Sequence, residues 1–151
     1  MIITFCGHAS FQKTQDDEER VLRYLGKIVG GNSVEMYLGG YGAFDAFAYS
    51  CCKKYQSIHK KAKLVFVSPY LPNNEQGDYW MYQKARYDEV LYPEIEEKPI
   101  KFAITYRNRY MVDQADCVIA YVEHDWGGAY QTYQYAKRKN KPIFNLAHFE
   151  K

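Results

Sequence analysis

The sequence predicts an α/β fold, with a parallel sheet and helices on both of its faces. Three observations carry this. Short apolar runs alternate with segments of helical period along the 151 residues, the pattern of strands joined by crossover helices. Leu64-Val65-Phe66-Val67 is apolar without interruption, as a strand covered on both faces requires. Two runs end in glycine clusters, Gly39-Gly40-Tyr41-Gly42 and Gly127-Gly128, that lead straight into helical segments.

Ile2 to Cys6 reads as the first strand and ends in Gly7-His8-Ala9-Ser10. Thr14-Gln15-Asp16-Asp17 has capping-box spacing, and Val21, Leu22, Leu25, Ile28 and Val29 follow at helical period up to Gly30-Gly31. Ser33 to Leu38 is the second strand. The helix after it places Phe44, Phe47, Cys51, Tyr55 and Ile58 on one side. Ser68-Pro69-Tyr70 follows the third strand. Over 71–99 the pattern breaks at Pro72, Asn73, Asn74, Gly77, Pro93 and Pro99, with a short helix near 80–86. An irregular excursion of that length points to a lid or wall of a site. Regularity returns with a helix over Lys101 to Gln114, whose apolar stripe is Ala103, Ile104, Met111, Val112 and Ala115. A strand over Cys117 to Val122, a helix over Gly128 to Asn140 and a strand over Pro142 to Leu146 complete the chain. Right-handed crossovers leave few topologies. A Rossmann-like five-stranded sheet in the order 3-2-1-4-5, within one domain over 1–151, satisfies them.

The net charge is +2, and 47% of residues are hydrophobic. Cations are scattered apart from Lys53-Lys54, Lys60-Lys61 with Lys63, and Lys137-Arg138-Lys139. The last two groups fall where helices end, which suits the helix dipole, so nucleic acid is not the favoured partner. No stretch approaches the roughly 20 apolar residues of a membrane span. The opening apolar run lacks a basic leader and reads as a strand, so a cytoplasmic location is expected. Cys6, Cys51, Cys52 and Cys117 form no CxxC pair and read as reduced core residues. His8, His59, His124 and His148 lack metal-ligand spacing. Neither a metal nor a resident cofactor is expected. The 16 tyrosines suit packed helices and are compatible with a homodimer.

In such a sheet, ligands bind beyond the carboxyl ends of the strands where strand order reverses. That rule selects Gly7 to Ser10, Gly39 to Asp45, Ser68 to Tyr70 and Glu123 to Gly128. Glycine permits close backbone approach, and a helix N-terminus presents unpaired N–H groups to an anion. Gly39, Gly40 and Gly42, with Gly127 and Gly128, are therefore candidate phosphate contacts. Asp45 would repel phosphate and reads as a helix cap or as an acceptor from a sugar or base. Arg107 is a candidate phosphate ligand if it faces the cleft, with Asn108 beside it. His8 and Ser10 line the first strand's edge, and Tyr41 or Tyr70 could stack on a base.

These motifs, in this order, resemble a known group. Phe5-Cys6-Gly7-His8, Leu38-Gly39-Gly40-Tyr41-Gly42-Ala43-Phe44-Asp45, Arg107-Asn108-Arg109-Tyr110-Met111-Val112, Ala115-Asp116 and Gly127-Gly128 resemble the SLOG superfamily of Rossmann-like domains. Within it the chain looks most like the YpsA-like proteins, with kinship to the DprA and Lonely Guy groups. The resemblance covers most of the chain, least well 71–99. It implies a pocket for a nucleotide or an ADP-ribose-like derivative. Members include N-glycosidic enzymes, proposed nucleotide sensors and single-stranded-DNA binders. Ala9 stands where the YpsA-like pattern commonly has arginine.

For catalysis the pattern is less complete. The Lonely Guy motif Pro-Gly-Gly-x-Gly-Thr-x-x-Glu, laid on Gly127-Gly128, puts Trp126, Tyr130 and Gln134 at its proline, later glycine and glutamate. The nucleoside deoxyribosyltransferase-like pattern Asp-x-Gly-Thr-x-x-Glu starts at Asp125 and puts Gln131 at its glutamate. Cleaving an N-glycosidic bond needs a carboxylate, and both frames offer an amide able only to hold a ligand hydroxyl. Glu123 and Asp125 are the remaining catalytic candidates. The expectation is therefore a nucleotide-like ligand held rather than turned over, with an N-glycosidase or transferase, and a DprA-like single-stranded-DNA binder, as alternatives.

Overall fold

The computed structural model describes residues 1–71 and 77–147. Its strands are β1 (Ile2–Gly7), β2 (Val34–Leu38), β3 (Ala62–Val67), β4 (Glu89–Leu91), β5 (Cys117–Tyr121) and β6 (Ile143–Asn145). Its α-helices are α1 (Asp17–Val29), α2 (Ala43–Ile58), α3 (Gly77–Arg86), α4 (Ala103–Gln114) and α5 (Gly128–Arg138), with a 3-10 turn over Ile100–Phe102 before α4. The sheet is parallel, in the order β4-β3-β2-β1-β5-β6. The five expected strands stand in the expected order. The correction is a sixth: the excursion holds α3 and the edge strand β4, paired to β3 through Val65–Glu89, Phe66–Val90 and Val67–Leu91. Three residues between turn-forming neighbours give too short a period to read. The signals at Pro72, Asn73 and Asn74, and His148, lie outside the described residues.

The chain winds outward from β1 to β4, then returns across the sheet to place β5 on the other side of β1. Because a right-handed crossover puts its helix on a face set by the direction of travel, α1 and α2 share one face and α4 and α5 the other. The core divides accordingly. Ile3, Phe5, Met36, Leu38, Leu64 and Phe66 pack against Val21 and Leu25 of α1 and Phe44 and Cys51 of α2. Val118, Ala120 and Val122 meet Val112 of α4 and Ala136 of α5, while Tyr37, Val65 and Val67 meet Met111. All four cysteines are free and buried. Ile58, expected on the buried side of α2, is exposed at its last turn.

Local chemistry sets the helix ends. Asp17, rather than Thr14, supplies the side chain at the start of α1: its carboxylate accepts the Thr14 N–H at 2.7 Å, the reciprocal half of a capping box. Gly30 closes α1 at φ 59°, donating its N–H to Gly26. Among the described residues no helix is long and apolar enough to cross a membrane.

Candidate functional site

Strand order reverses between β1 and β5, and a cleft of about 670 Å³ opens there beyond the strand ends. β1 delivers Gly7 and His8 to it, the loop after β5 delivers His124 and Trp126, and α4 delivers Arg107 and Asn108. His8 is buried. Its Nε2 accepts the Glu123 N–H at 2.9 Å, so the ring is neutral with its proton on Nδ1. The His8 ring stacks on His124 (3.7 Å between centroids, 11° between planes), and His124 stacks on Trp126 (3.8 Å, 16°). The row runs from the buried strand end to an indole that is 68% exposed. The Nδ1 of His124 is buried without a hydrogen-bond partner among the described residues.

Burial, and then the neighbouring His124, push the His8 pKa below its ordinary 6.5, against a smaller opposing pull from Glu123. A histidine whose pKa is lower folded than unfolded contributes stability that is present above the unfolded value and is lost as pH falls through the folded one. Urea unfolding from pH 8 to pH 5 should therefore show stability declining below about pH 6.5. His8→Gln should flatten that decline, and an unchanged slope would remove His8 as its source.

Arg107 sits at the centre of the opposite wall, only 3% exposed. It lies four residues from Ala103 and four from Met111, both buried on the same helix face. Its Nη1 donates to the carbonyls of Gly39 and Val67, each at 2.9 Å, and its Nε to Asn108 Oδ1 at 2.9 Å. The guanidinium thus ties the ends of β2 and β3 together. Among the described residues Nη2 makes no hydrogen bond, and Arg107 lines the cleft. Asp45 completes the wall, accepting the Tyr41 N–H at 3.0 Å. Burial raises its pKa, opposed by Arg107 and by the N–H groups of Tyr41, Gly40 and Gly39. Burial likewise lowers that of Arg107, opposed first by Asp45.

The two glycine turns, similar in sequence, differ in what they face. A Cβ at Gly39 would lie 2.8 Å from Arg107 Cζ, and one at Gly40 2.6 Å from the Phe66 ring. These glycines are therefore required for packing, and the donors of their loop turn onto Asp45. Gly42 and Gly127 are the N-caps of α2 and α5 and share one backbone conformation, φ 91° with ψ 170° and 173°, which favours glycine. Neither helix has a side-chain cap; α2 has Asp45 in its first turn, whereas the first turn of α5 has no acidic residue. A Cβ at Gly127 or Gly128 would meet nothing within 4 Å.

Of the sequence candidates, Gly7, His8, Ser10, Gly39, Tyr41, Asp45, Arg107, Asn108, Gly127 and Gly128 line the cleft. Gln131 and Gln134 line instead an adjoining groove between α4 and α5. Gly40, Gly42, Ser68 and Tyr70 lie outside the cleft lining. Ser68 is buried, and its hydroxyl donates to the Tyr70 carbonyl at 2.8 Å and accepts the Tyr70 N–H at 3.1 Å. Glu123 and Asp125 also lie outside the lining. The Glu123 carboxylate accepts the Tyr121 hydroxyl at 3.2 Å. Sequence reasoning missed His124 and Trp126, although an alternation at 124 and 126 just past a strand was available as a signal. It also placed Ile104 on the buried stripe, where the structure puts Arg107 and leaves Ile104 exposed. The spacing 103, 107, 111 could have shown this.

No family model matches the chain, and no curated protein does. Solved structures do. DNA processing protein A (DprA) from Helicobacter pylori, described for its single-stranded DNA binding mode, aligns with a TM-score of 0.64 at 18% identity, over 98% of this chain and 66% of that one. DprA from Streptococcus pneumoniae aligns at 0.63 and 16%, over 97% and 50%. The structural-genomics target TM1055 aligns at 0.55 and 12%, over 94% and 71%. The chain thus spans between half and two thirds of the DprA chains it matches, and it shares their Rossmann-like fold.

Proposed function

We propose that the chain is a SLOG-type, YpsA-like domain that binds a nucleotide or an ADP-ribose-like derivative in the switch-point cleft. The observation that carries this is the stacked row His8–His124–Trp126, ending in an exposed indole, in the same cleft as the buried Arg107. A base stacks on the outer face of Trp126. The phosphate lies against the Gly127-Gly128 turn and Arg107 Nη2, since the donors of the other glycine loop are committed to Asp45. Turnover is disfavoured because the described carboxylate in the cleft, Asp45, is held by its own loop. AMP or ADP-ribose at a hundredfold excess over Kd should stabilise the protein by about 2.7 kcal/mol, a rise in Tm of roughly 5–10 °C for a chain of this size. Trp126→Ala should weaken binding by about tenfold or more, the worth of one base–aromatic stack, while leaving the free protein's Tm nearly unchanged. No thermal shift with either compound would refute the proposal.

A second reading, a DprA-like single-stranded-DNA binder, is favoured by the fold relatives and by one structural finding. The fold brings Arg109 of α4 to the Lys137-Arg138-Lys139 cluster: Arg109, Arg138 and Lys139 all lie within 5.8 Å of the Tyr135 ring. Salt-dependent anisotropy with oligothymidylate tests it.

A further inference from the structure

The groove between α4 and α5 is built from a different set of side chains than the cleft. It has a volume of about 330 Å³ and shares Ile104, Asn108, Gly128 and Thr132 with the cleft, so the two are continuous. Arg109 and Arg138 stand on its sides, 5.4 Å and 5.8 Å from the Tyr135 ring centroid. Neither makes an ion pair among the described residues, in contrast to Arg20, Arg23 and Lys139. Each guanidinium is therefore held beside an aromatic ring with no carboxylate at ion-pair distance among the described residues. The nearby Asp113 is engaged by the Tyr135 hydroxyl at 2.7 Å and Lys139 at 3.9 Å, so the guanidinium donors are available to an anion. Gln134 donates to the Tyr130 hydroxyl at 2.6 Å, which leaves its amide oxygen to accept from a ligand. Two unpaired guanidiniums, an aromatic ring and an amide are the groups that recognise a phosphate joined to a nucleoside.

We infer that this groove is a second subsite, which takes the second phosphate-linked nucleoside of a two-unit ligand whose first unit occupies the cleft. The inference rests on the cleft being a nucleotide site. Two linkages share this chemistry, a pyrophosphate as in NAD and a phosphodiester as in the dinucleotide pApA. Calorimetric titration of the full chain with AMP, NAD and pApA separates them. At least one two-unit ligand should bind about tenfold more tightly than AMP, the worth of one charge-assisted contact, and the one that gains identifies the linkage. The double variant R109Q/R138Q, altered at two exposed positions, should abolish that gain and leave AMP affinity as it was. AMP binding with no gain for either two-unit ligand, or a gain that survives in the variant, would remove the subsite and leave the cleft reading standing. Failure of all three compounds to bind would overturn both.

Discussion

Arg107→Met is expected to lower the unfolding free energy by about 3 kcal/mol. Methionine preserves much of the volume and none of the donors. The carbonyls of Gly39 and Val67 would lose the Nη1 donor that joins them, and hydrogen bonds to a charged group contribute about 1.5–3 kcal/mol each. Asp45 would lose its neighbouring positive charge while remaining largely shielded from water. Apolar packing of the methionine offsets part of this. Urea unfolding should show the loss directly, and Tm should fall by roughly 6–12 °C. Arg107→Lys should recover little, because an ammonium lacks the rigid fork that spans two carbonyls while reaching Asn108. Wild-type stability in the methionine variant would show that the guanidinium does not tie β2 to β3.

Gly7→Ala is expected to destabilise by about 2–3 kcal/mol, at the upper end for overpacking a close-packed interior. A Cβ at Gly7 would clash with Phe44 at its Cβ and at the ring atoms Cγ and Cδ2. That ring is 1% exposed and belongs to the first turn of α2, so its displacement would disturb the Asp45 loop as well. Phe44→Ala in the same chain removes Cγ and Cδ2, two of the three clashing atoms. The two losses should therefore be less than additive, and the coupling between the two sites is measurable as a double-mutant cycle. Gly26→Ala supplies the contrast: nothing lies near its Cβ, and it occupies a helix interior. There the substitution should stabilise by about 0.5–1 kcal/mol. Equal effects at Gly7 and Gly26 would refute the packing role of Gly7.

What could be read from the sequence follows the range of the forces involved. Continuous apolar runs and glycine-terminated helices are local signals, and they placed five strands and their order. β4 escaped because an edge strand of three residues buries too little to leave a period. The cleft's position followed from topology alone, and Gly7, His8 and Gly127-Gly128 are where that rule put them. The meaning of the glycine cluster did not follow. Gly39 and Gly40 are small because Arg107 and Phe66, distant in sequence, pack against them. A long-range contact of that kind leaves no mark near the glycines. The same holds for His124, which stacks on His8 from far earlier in the chain and carries Trp126 on its other face.

Gly42 and Gly127 begin their helices with the same backbone turn, and only the first is followed by a carboxylate within the first helical turn. After Gly42 the Asp45 carboxylate takes the Tyr41 N–H and lies beside Arg107; the first turn of α5 carries no acidic residue. The two rims of the crevice consequently differ in charge: a carboxylate and a guanidinium offset one another at the first, and the second has no carboxylate in its first helical turn. A solute that is anionic at one end and neutral at the other has one favourable way to lie in it. For the proposed ligand, that asymmetry would set direction, with its anionic end toward the α5 turn and Arg107 and away from the Asp45 carboxylate.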